Sequence, residues 1–334
     1  MSELKDAGFL IRLAYQGMEN MGINAGEVLN RIGMSYQQIQ QKDLRTPHAA
    51  QKFFWDAITE VSQDPDIGLH LGEQLPVFRG QVIEYLFLSS PNFGEGLKRA
   101  LDYQRLISDA VHATLHIEGE VAYLSNPGIT SSIHHLLVCV FKGVLKFFDY
   151  ITEGGFKPQL IEFDFPEPED PAEYQRAFGC ELRFGCNENR LFFAPSVLEI
   201  PSLHAEPELL KLHEQLASEY VAKLEKQDFV GQVNRIIGEL LESGNANLET
   251  VAERLGIKPR ALRTRLAEAE TNFNQLLADY RCNLAKRLLA KTDESIDEIV
   301  YLTGFSEPST FYRAFKRWTD LTPIEYRKAR QGAR

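Results

Sequence analysis

Leu248-Glu-Thr-Val-Ala-Glu-Arg-Leu-Gly-Ile-Lys-Pro-Arg-Ala-Leu-Arg-Thr-Arg-Leu266 and Ser295-Ile-Asp-Glu-Ile-Val-Tyr-Leu-Thr-Gly-Phe-Ser-Glu-Pro-Ser-Thr-Phe-Tyr-Arg-Ala-Phe-Lys-Arg-Trp318 share one internal order. Each opens with a short amphipathic helix pattern and reaches a glycine, Gly256 or Gly304. An apolar residue follows, and then a second helix pattern carrying cations and hydroxyls. Glycine suits the end of a helix because the next residue commonly takes a positive φ. Two helices joined by about 3–4 residues make a helix-turn-helix, and two such units in series are hard to obtain by chance.

The periodicity assigns the faces. Leu248, Val251, Ala252, Leu255, Leu262 and Leu266 fall inward at helical spacing, which turns Arg260, Arg263 and Thr264 outward. In the second unit Ile296, Ile299, Val300, Phe305, Phe311 and Phe315 face inward, while Ser309, Thr310, Arg313 and Arg317 share the outer face. Ser306 stands where an N-cap is expected, ahead of Pro308 in the first turn. In this motif the second helix enters the major groove. Arginine can bind guanine through two hydrogen bonds, and threonine can accept, donate or offer a methyl group. Arg260, Arg263, Thr264, Thr310 and Arg313 are therefore placed to meet base edges, and Lys258, Lys316 and Arg317 are the candidate phosphate contacts. Residues 273–291 read as one helix between the units, a rod of about 28 Å. With the girth of the units, it would set the two recognition helices about 34 Å apart, one turn of B-DNA.

Residues from about 228 to 330 resemble the DNA-binding domain of the AraC/XylS family of bacterial transcription regulators. The resemblance lies in Leu284-Ala-Lys-Arg-Leu-Leu289, Ile296-Asp-Glu-Ile-Val300, Gly304-Phe-Ser-Glu-Pro308, Phe311-Tyr-Arg-Ala-Phe-Lys-Arg-Trp318 and Leu321-Thr-Pro-Ile-Glu-Tyr-Arg327. The resemblance implies base contacts at Arg260, Arg263, Thr264, Ser309, Thr310 and Arg313. Four positions depart from the family pattern. Thr264 stands where a basic residue is usual, Lys258 replaces a serine before the proline, and Glu270 and Asp320 occupy positions that are typically glycine. Arg79-Gly-Gln-Val-Ile-Glu-Tyr-Leu-Phe-Leu-Ser-Ser-Pro-Asn-Phe-Gly94, Tyr103-Gln-Arg-Leu-Ile-Ser-Asp109, Phe178-Gly-Cys180 and Leu182-Arg-Phe-Gly185 resemble the arabinose-binding-type effector domain of one subgroup. That resemblance does not imply arabinose as the ligand.

Charge is divided unevenly. Residues 245–334 hold 16 Lys and Arg against 12 Asp and Glu, a net of +4, and the rest of the chain carries −15, within a total of −11. A polyanion partner is thus expected for the C-terminal region alone, since binding depends on the local face. The length suits two domains. Residues 136–148 form the longest apolar stretch, but Lys142 and Lys146 interrupt it, which excludes a membrane span. The N-terminus lacks a signal-peptide layout, and the four cysteines lack paired spacing, so a reducing, cytoplasmic setting is expected.

The N-terminal region reads as α+β, with antiparallel strands and packed helices, ahead of the all-α tandem domain. Helices are expected over 8–19, 47–63, 80–89, 93–108 and 131–151, and strands over 113–117, 120–125, 159–165, 182–184 and 190–193. The expected division is an effector domain over 1–205, a linker helix over 206–227 and a DNA-binding domain over 228–334. Leu209, Leu212, Leu216, Tyr220 and Leu224 make a stripe on the linker helix, for packing or for a dimer. No phosphate loop, nucleophile elbow or zinc-helix motif is present, so no enzyme, cofactor or metal is expected. His112 and His116 lie on a strand-like alternation, and His134 and His135 are expected to point apart. Arg79, Tyr85, Tyr103, Arg105 and His112 are the candidate polar groups of an effector pocket. The expected partners are double-stranded DNA, a largely apolar small effector, and further a second copy of the chain and RNA polymerase. The competing readings are an effector-independent regulator whose N-terminal half only dimerises, and an enzyme fused to a DNA-binding domain.

Overall fold

The computed structural model describes residues 3–126, 133–241 and 243–331. The chain divides into two compact units, Glu3–Val221 and Ala222–Arg334.

The first unit is built on a five-stranded sheet in the order Thr114–Glu118, Val121–Ser125, Arg190–Phe193, Pro158–Glu162 and Glu181–Arg183. Neighbours are antiparallel except the last pair, which is parallel. A parallel pair needs a crossover, and helix Pro171–Phe178 supplies it, capped by Asp170 with a proline in its first turn. That helix was not expected from the sequence. The helix expected over 131–151 is described from His134 to Ile151, and residues 131 and 132 lie outside the described residues. Its inward side carries Leu137, Val138, Phe147 and Phe148 to the sheet core, where they meet Phe87, Phe93, Phe156 and Phe193.

A second, helical core lies beside it, with Met18, Val28, Trp55, Ile58, Ile67 and Leu71. Helix Ile67–Gln74 joins the two. A Cβ at Gly68 would come within 2.5 Å of the His135 backbone, and one at Gly72 within 2.7 Å of the Lys142 side chain. These two glycines, one turn apart, let the helix lie directly on His134–Ile151. Lys146 then donates from Nζ to the carbonyls of Glu73 (2.8 Å) and Leu75 (2.6 Å), satisfying orphan acceptors at the helix C-terminus. A short antiparallel pair, Lys5–Ala7 with Arg45–Pro47, completes the unit.

The helix expected over 206–227 runs instead as Pro207–Leu241, 35 residues long. Its expected apolar stripe is displaced from the packing face. Leu210 and Ala217 are buried, while Leu209, Leu212 and Tyr220 are exposed. His134 and His135 do not point apart, since their rings lie 3.9 Å from each other.

The second unit holds two small cores. Phe229, Val233, Ile237, Val251, Leu262 and Leu266 form one, and Ala285, Leu289, Ile299, Val300, Phe311 and Phe315 the other. Helix Phe273–Lys291 contributes to both. Glu270 (φ 56°) and Asp320 (φ 60°) take left-handed backbone at the ends of the two recognition helices. Both stand where glycine is typical in the resembling family, and such a conformation costs an L-residue about 1–2 kcal/mol. Glu270→Gly and Asp320→Gly should each stabilise the second unit by about 0.5–1 kcal/mol, after the entropy lost by glycine on folding is counted. Glutamate should gain more, because aspartate tolerates this region better. Thermal unfolding of each variant checks this, and a lower midpoint for Glu270→Gly would sink the argument.

His70 ties two helices together. Nδ1 lies 2.6 Å from Asp64 and Nε2 lies 3.1 Å from Glu173. Burial pulls the imidazole pKa down, but the bonds to Asp64 and Glu173 outweigh it and leave it raised. A raised folded pKa gives stability that is full below the unfolded value near 6.5 and is lost as pH rises through the folded value. His70→Gln should therefore cost about 1 kcal/mol near pH 6 and progressively less above neutrality. Urea unfolding of both proteins across that range measures it; a cost that grows with pH contradicts the assignment.

Candidate nucleic-acid interface and ligand cavity

The first helix-turn-helix consists of Leu248–Arg254 and Pro259–Glu268, and the second of Ile296–Leu302 and Pro308–Thr319. Asn247 and Ser295 cap the leading helices through bonds to the backbone of Thr250 and Glu298. The turn glycines adopt φ 68° at Gly256 and φ 70° at Gly304. Gly304 is doubly constrained, since a Cβ there would meet the Leu241 carbonyl at 2.8 Å.

Neither recognition helix has a side-chain N-cap. Lys258 precedes Pro259, and Glu307, not Ser306 as expected, precedes Pro308. Proline at the first position spares one donor, because it has no N–H to satisfy. The remaining free N–H groups leave partial positive charge facing outward. Ser309, Thr310, Arg313, Lys316 and Arg317 of the second helix are all exposed, as are Lys258, Arg260, Arg263 and Thr264 of the first. Thr264 donates to the Arg260 carbonyl at 3.1 Å, which leaves its lone pairs and methyl outward. Arg263 lies 3.8 Å from Glu249, an exposed and weak pair. Arg313 lies along its own helix, 3.4 Å from the Ser309 carbonyl and 3.5 Å from the Thr310 hydroxyl. Every base and phosphate candidate named from the sequence thus stands on a solvent-facing helical surface.

The five effector candidates are distributed differently, and none of them lines the cavity of the first unit. Arg79 lies 4.1 Å over the ring of Tyr150, whose hydroxyl donates to Glu84. Tyr85 stacks on His213, and the Tyr103 hydroxyl bonds Ser218 at 2.8 Å. Arg105 bonds Asp109 at 2.8 Å, and His112 is exposed. Tyr85 and Tyr103 hold helix Pro207–Leu241 against this unit; the others serve local packing.

The cavity itself measures about 670 Å³. Phe54, Phe78, Phe87, Val144 and Phe147 typify its wall. One group of its polar residues gathers around Asp6, which is 2% exposed, while Arg31, Thr46 and Gln104 border the cavity elsewhere. The carboxylate accepts from Ser108 Oγ (2.5 Å), Gln51 Nε2 (2.7 Å) and His48 Nδ1 (3.0 Å). Burial raises the Asp6 pKa, but the bonds from His48, Ser108 and Gln51 outweigh it and leave it lowered. The bond to Asp6 in turn raises His48. The polar end is therefore hydrogen-bonded within itself. Trp55 also lines the cavity, and its buried indole Nε1 has no hydrogen-bond partner. Sequence reading missed this set because Asp6, His48 and Ser108 lie on segments far apart in the chain, brought together by the Lys5–Ala7 and Arg45–Pro47 pairing and by the Asp6–Ser108 bridge.

Residues 22–202 match the family described as the arabinose-binding domain of AraC transcription regulators, and residues 251–329 match a helix-turn-helix domain. The chain belongs to the AraC family of transcription regulators. It is 30% identical over 274 residues to the ornithine utilization regulator of Pseudomonas aeruginosa, covering 80% of this chain and 79% of that one. It is 30% identical over 179 residues to the regulator VirS of Mycobacterium tuberculosis, covering 52% of each. Among solved structures it is similar to the regulator CdpR of Pseudomonas aeruginosa (20% identity, TM-score 0.40, 85% of this chain and 93% of that one). It is also similar to the DNA-binding domain of AdpA in complex with a target DNA (28% identity, TM-score 0.29, 31% and 95%). The matched family and relatives are transcription regulators, not enzymes, so the reading of the N-terminal half as an enzyme is set aside. No helix among the described residues is long and apolar enough to cross a membrane.

Proposed function

We propose that this regulator places its two recognition helices in successive major grooves and answers to a small effector with a hydrocarbon body, held in the first unit. The observation that carries the effector reading is the cavity of about 670 Å³, within the usual 300–1,000 Å³ of ligand sites. Its lining also selects the ligand. A sugar would bury several hydroxyls, and each unpaired one costs about 1–3 kcal/mol. Asp6, His48, Gln51 and Ser108 already bond one another and offer little to them. Ornithine would bring two ammonium groups and a carboxylate against a largely apolar wall, and buried charges are costly unless each is paired. A hydrocarbon body loses only water, gaining about 25 cal/mol per Å² buried. Neither arabinose from the family's name nor ornithine from the relative's name suits this wall.

Melting of the full chain tests the ligand. A saturating hydrocarbon effector at about 100 times its Kd should add about 2.7 kcal/mol of stability, and Val144→Trp, which puts an indole into the cavity, should diminish the gain. If L-arabinose or ornithine raises the melting temperature while a panel of hydrocarbon ligands does not, the reading fails. A panel that is silent throughout favours the effector-independent alternative, for which the exposed Leu209, Leu212 and Tyr220 offer a contact face.

On the DNA side, Arg313 is the base reader and Lys316 a phosphate contact. Arg313 lies one turn beyond Ser309, and its fork fits guanine O6 and N7, a contact worth about 1–3 kcal/mol against a wrong base. Lys316 is near the helix C-terminus and carries a point charge. Arg313→Ala should flatten preference at one position of a randomised operator library. Lys316→Ala should weaken all sequences alike and lower the salt slope by about one. Unchanged base preferences with Arg313→Ala would show that the second recognition helix is oriented otherwise.

A further inference from the structure

Beside the second recognition helix lies a pocket of about 440 Å³ that no motif in the sequence announced. Helix Phe273–Lys291 forms one wall with Asn274 and Arg281, and the recognition helix forms the other with Thr310, Arg313, Arg317 and Trp318. Three guanidinium groups line it, and no aspartate or glutamate does. This is unusual in a chain of net charge −11, where most partly buried arginines have a carboxylate at hand, as Arg45, Arg99 and Arg190 do.

Arg281 is the most telling of the three. Its Nη2 donates to the Gly304 carbonyl at 2.8 Å, and its guanidinium lies 4.5 Å over the Phe305 ring. Its Nε is buried without a partner, and burial alone lowers its pKa. A desolvated cation held by a carbonyl and an aromatic face, with two more cations across a concave surface, suits an anion. The first turn of helix Phe273–Lys291, where Asn274 sits, adds the positive end of the helix dipole.

Position identifies the anion. A helix with its side chains is about 10–12 Å across, and the major groove is about 12 Å wide. A recognition helix in the groove therefore brings its flanks against the phosphates on either wall. Thr310 and Arg313 belong both to the face proposed for the bases and to the rim of this pocket. We propose that the pocket seats one backbone phosphate of the bound duplex, gripped by Arg281 and Arg317 with the Asn274 amide, while Arg313 passes its rim toward the bases. The inference rests on the proposed entry of this helix into the groove, and it gives helix Phe273–Lys291 a DNA contact of its own.

The test uses the full chain and a fluorescent duplex of about 30 base pairs of random sequence, titrated across KCl concentrations. Asn274→Asp puts a negative charge in the pocket at a helix N-terminus, where an acid favours the fold. It should leave the melting temperature unchanged or higher, lower the salt slope by about one, and lower affinity about eightfold near 0.1 M salt, the worth of one phosphate contact. Arg317→Gln and Arg281→Met should do the same. Asn283→Asp makes the same change on the same helix about 13 Å from Asn274 along the axis, at a position that does not line the pocket, and should leave the slope alone. If Asn274→Asp keeps the wild-type slope, or if Asn283→Asp lowers it equally, the pocket is not a phosphate seat, and this holds whether or not Arg281→Met folds. Inorganic phosphate at matched ionic strength distinguishes the source. If it raises the melting temperature of the wild type but not of Asn274→Asp, while the DNA slopes agree, the pocket serves a free anion and the proposal is overturned. A wild type that binds no duplex at all would overturn the groove-entry reading itself, together with the inference that rests on it.

Discussion

The close approach of two helices at Gly68 and Gly72 sets the dimensions of the first unit. With no side chain at either position, helix Ile67–Gln74 rests on the backbone of His134–Ile151. The long helix then serves two cores at once. Leu136 and Cys139 belong to the helical cluster, and Leu137, Val138, Phe147 and Phe148 belong to the sheet cluster. Between them, Val140, Gly143 and Val144 face neither core fully and line the cavity. An alanine at Gly72 would press on Lys142, and the ties from Lys146 to the end of the shorter helix would shift with it. The empty volume is thus a consequence of two cores sharing one helix, with a spacing that glycine fixes.

A similar constraint organises the second unit around Gly304. The turn needs φ 70°, and the Leu241 carbonyl occupies the space a side chain would take. The Gly304 carbonyl receives Arg281, and the next residue, Phe305, stacks under the same guanidinium. One turn therefore fixes three things: the angle between the paired helices, the burial of Phe305 and the position of a cation beside the recognition helix.

The tandem units were legible because their signals are local. Apolar residues recur at 3.6-residue spacing within each helix, and the turn glycine and the outward cations sit at fixed offsets. The glycine-like positions at Glu270 and Asp320 could also be read, and the backbone there is left-handed. What escaped reading depends on distant contacts. The stripe Leu209, Leu212, Leu216, Tyr220 and Leu224 has proper helical spacing, yet the packing face is set by Leu210, His213, Glu214 and Ala217, because Ser89, Arg99 and Tyr103 meet the helix there. The polar end of the cavity joins residues 6, 48, 51 and 108, and no window of sequence contains them. Tyr and Arg are poor pointers to a pocket here because their polar tips found partners elsewhere.

Two short helices of the first unit stand between the cavity and helix Pro207–Leu241. Helix Val82–Ser89 lines the cavity with Ile83 and Phe87, while Tyr85 and Ser89 meet His213. Helix Phe93–Asp102 lines it with Leu97, Ala100 and Leu101, while Arg99 reaches Glu214 at 2.7 Å and the next residue after the helix, Tyr103, reaches Ser218. Each helix thus has one face on the cavity and the other on Pro207–Leu241. The partners on that long helix are polar and only partly buried, so their bonds can exchange with water at small cost, whereas the cavity faces are packed aromatics and aliphatics that resist compression. A change in cavity volume is therefore absorbed more readily at His213, Glu214 and Ser218 than within the wall itself. Five residues that looked like ligand contacts in the sequence include two, Tyr85 and Tyr103, whose place is on this outer face, one layer removed from the cavity they were expected to line.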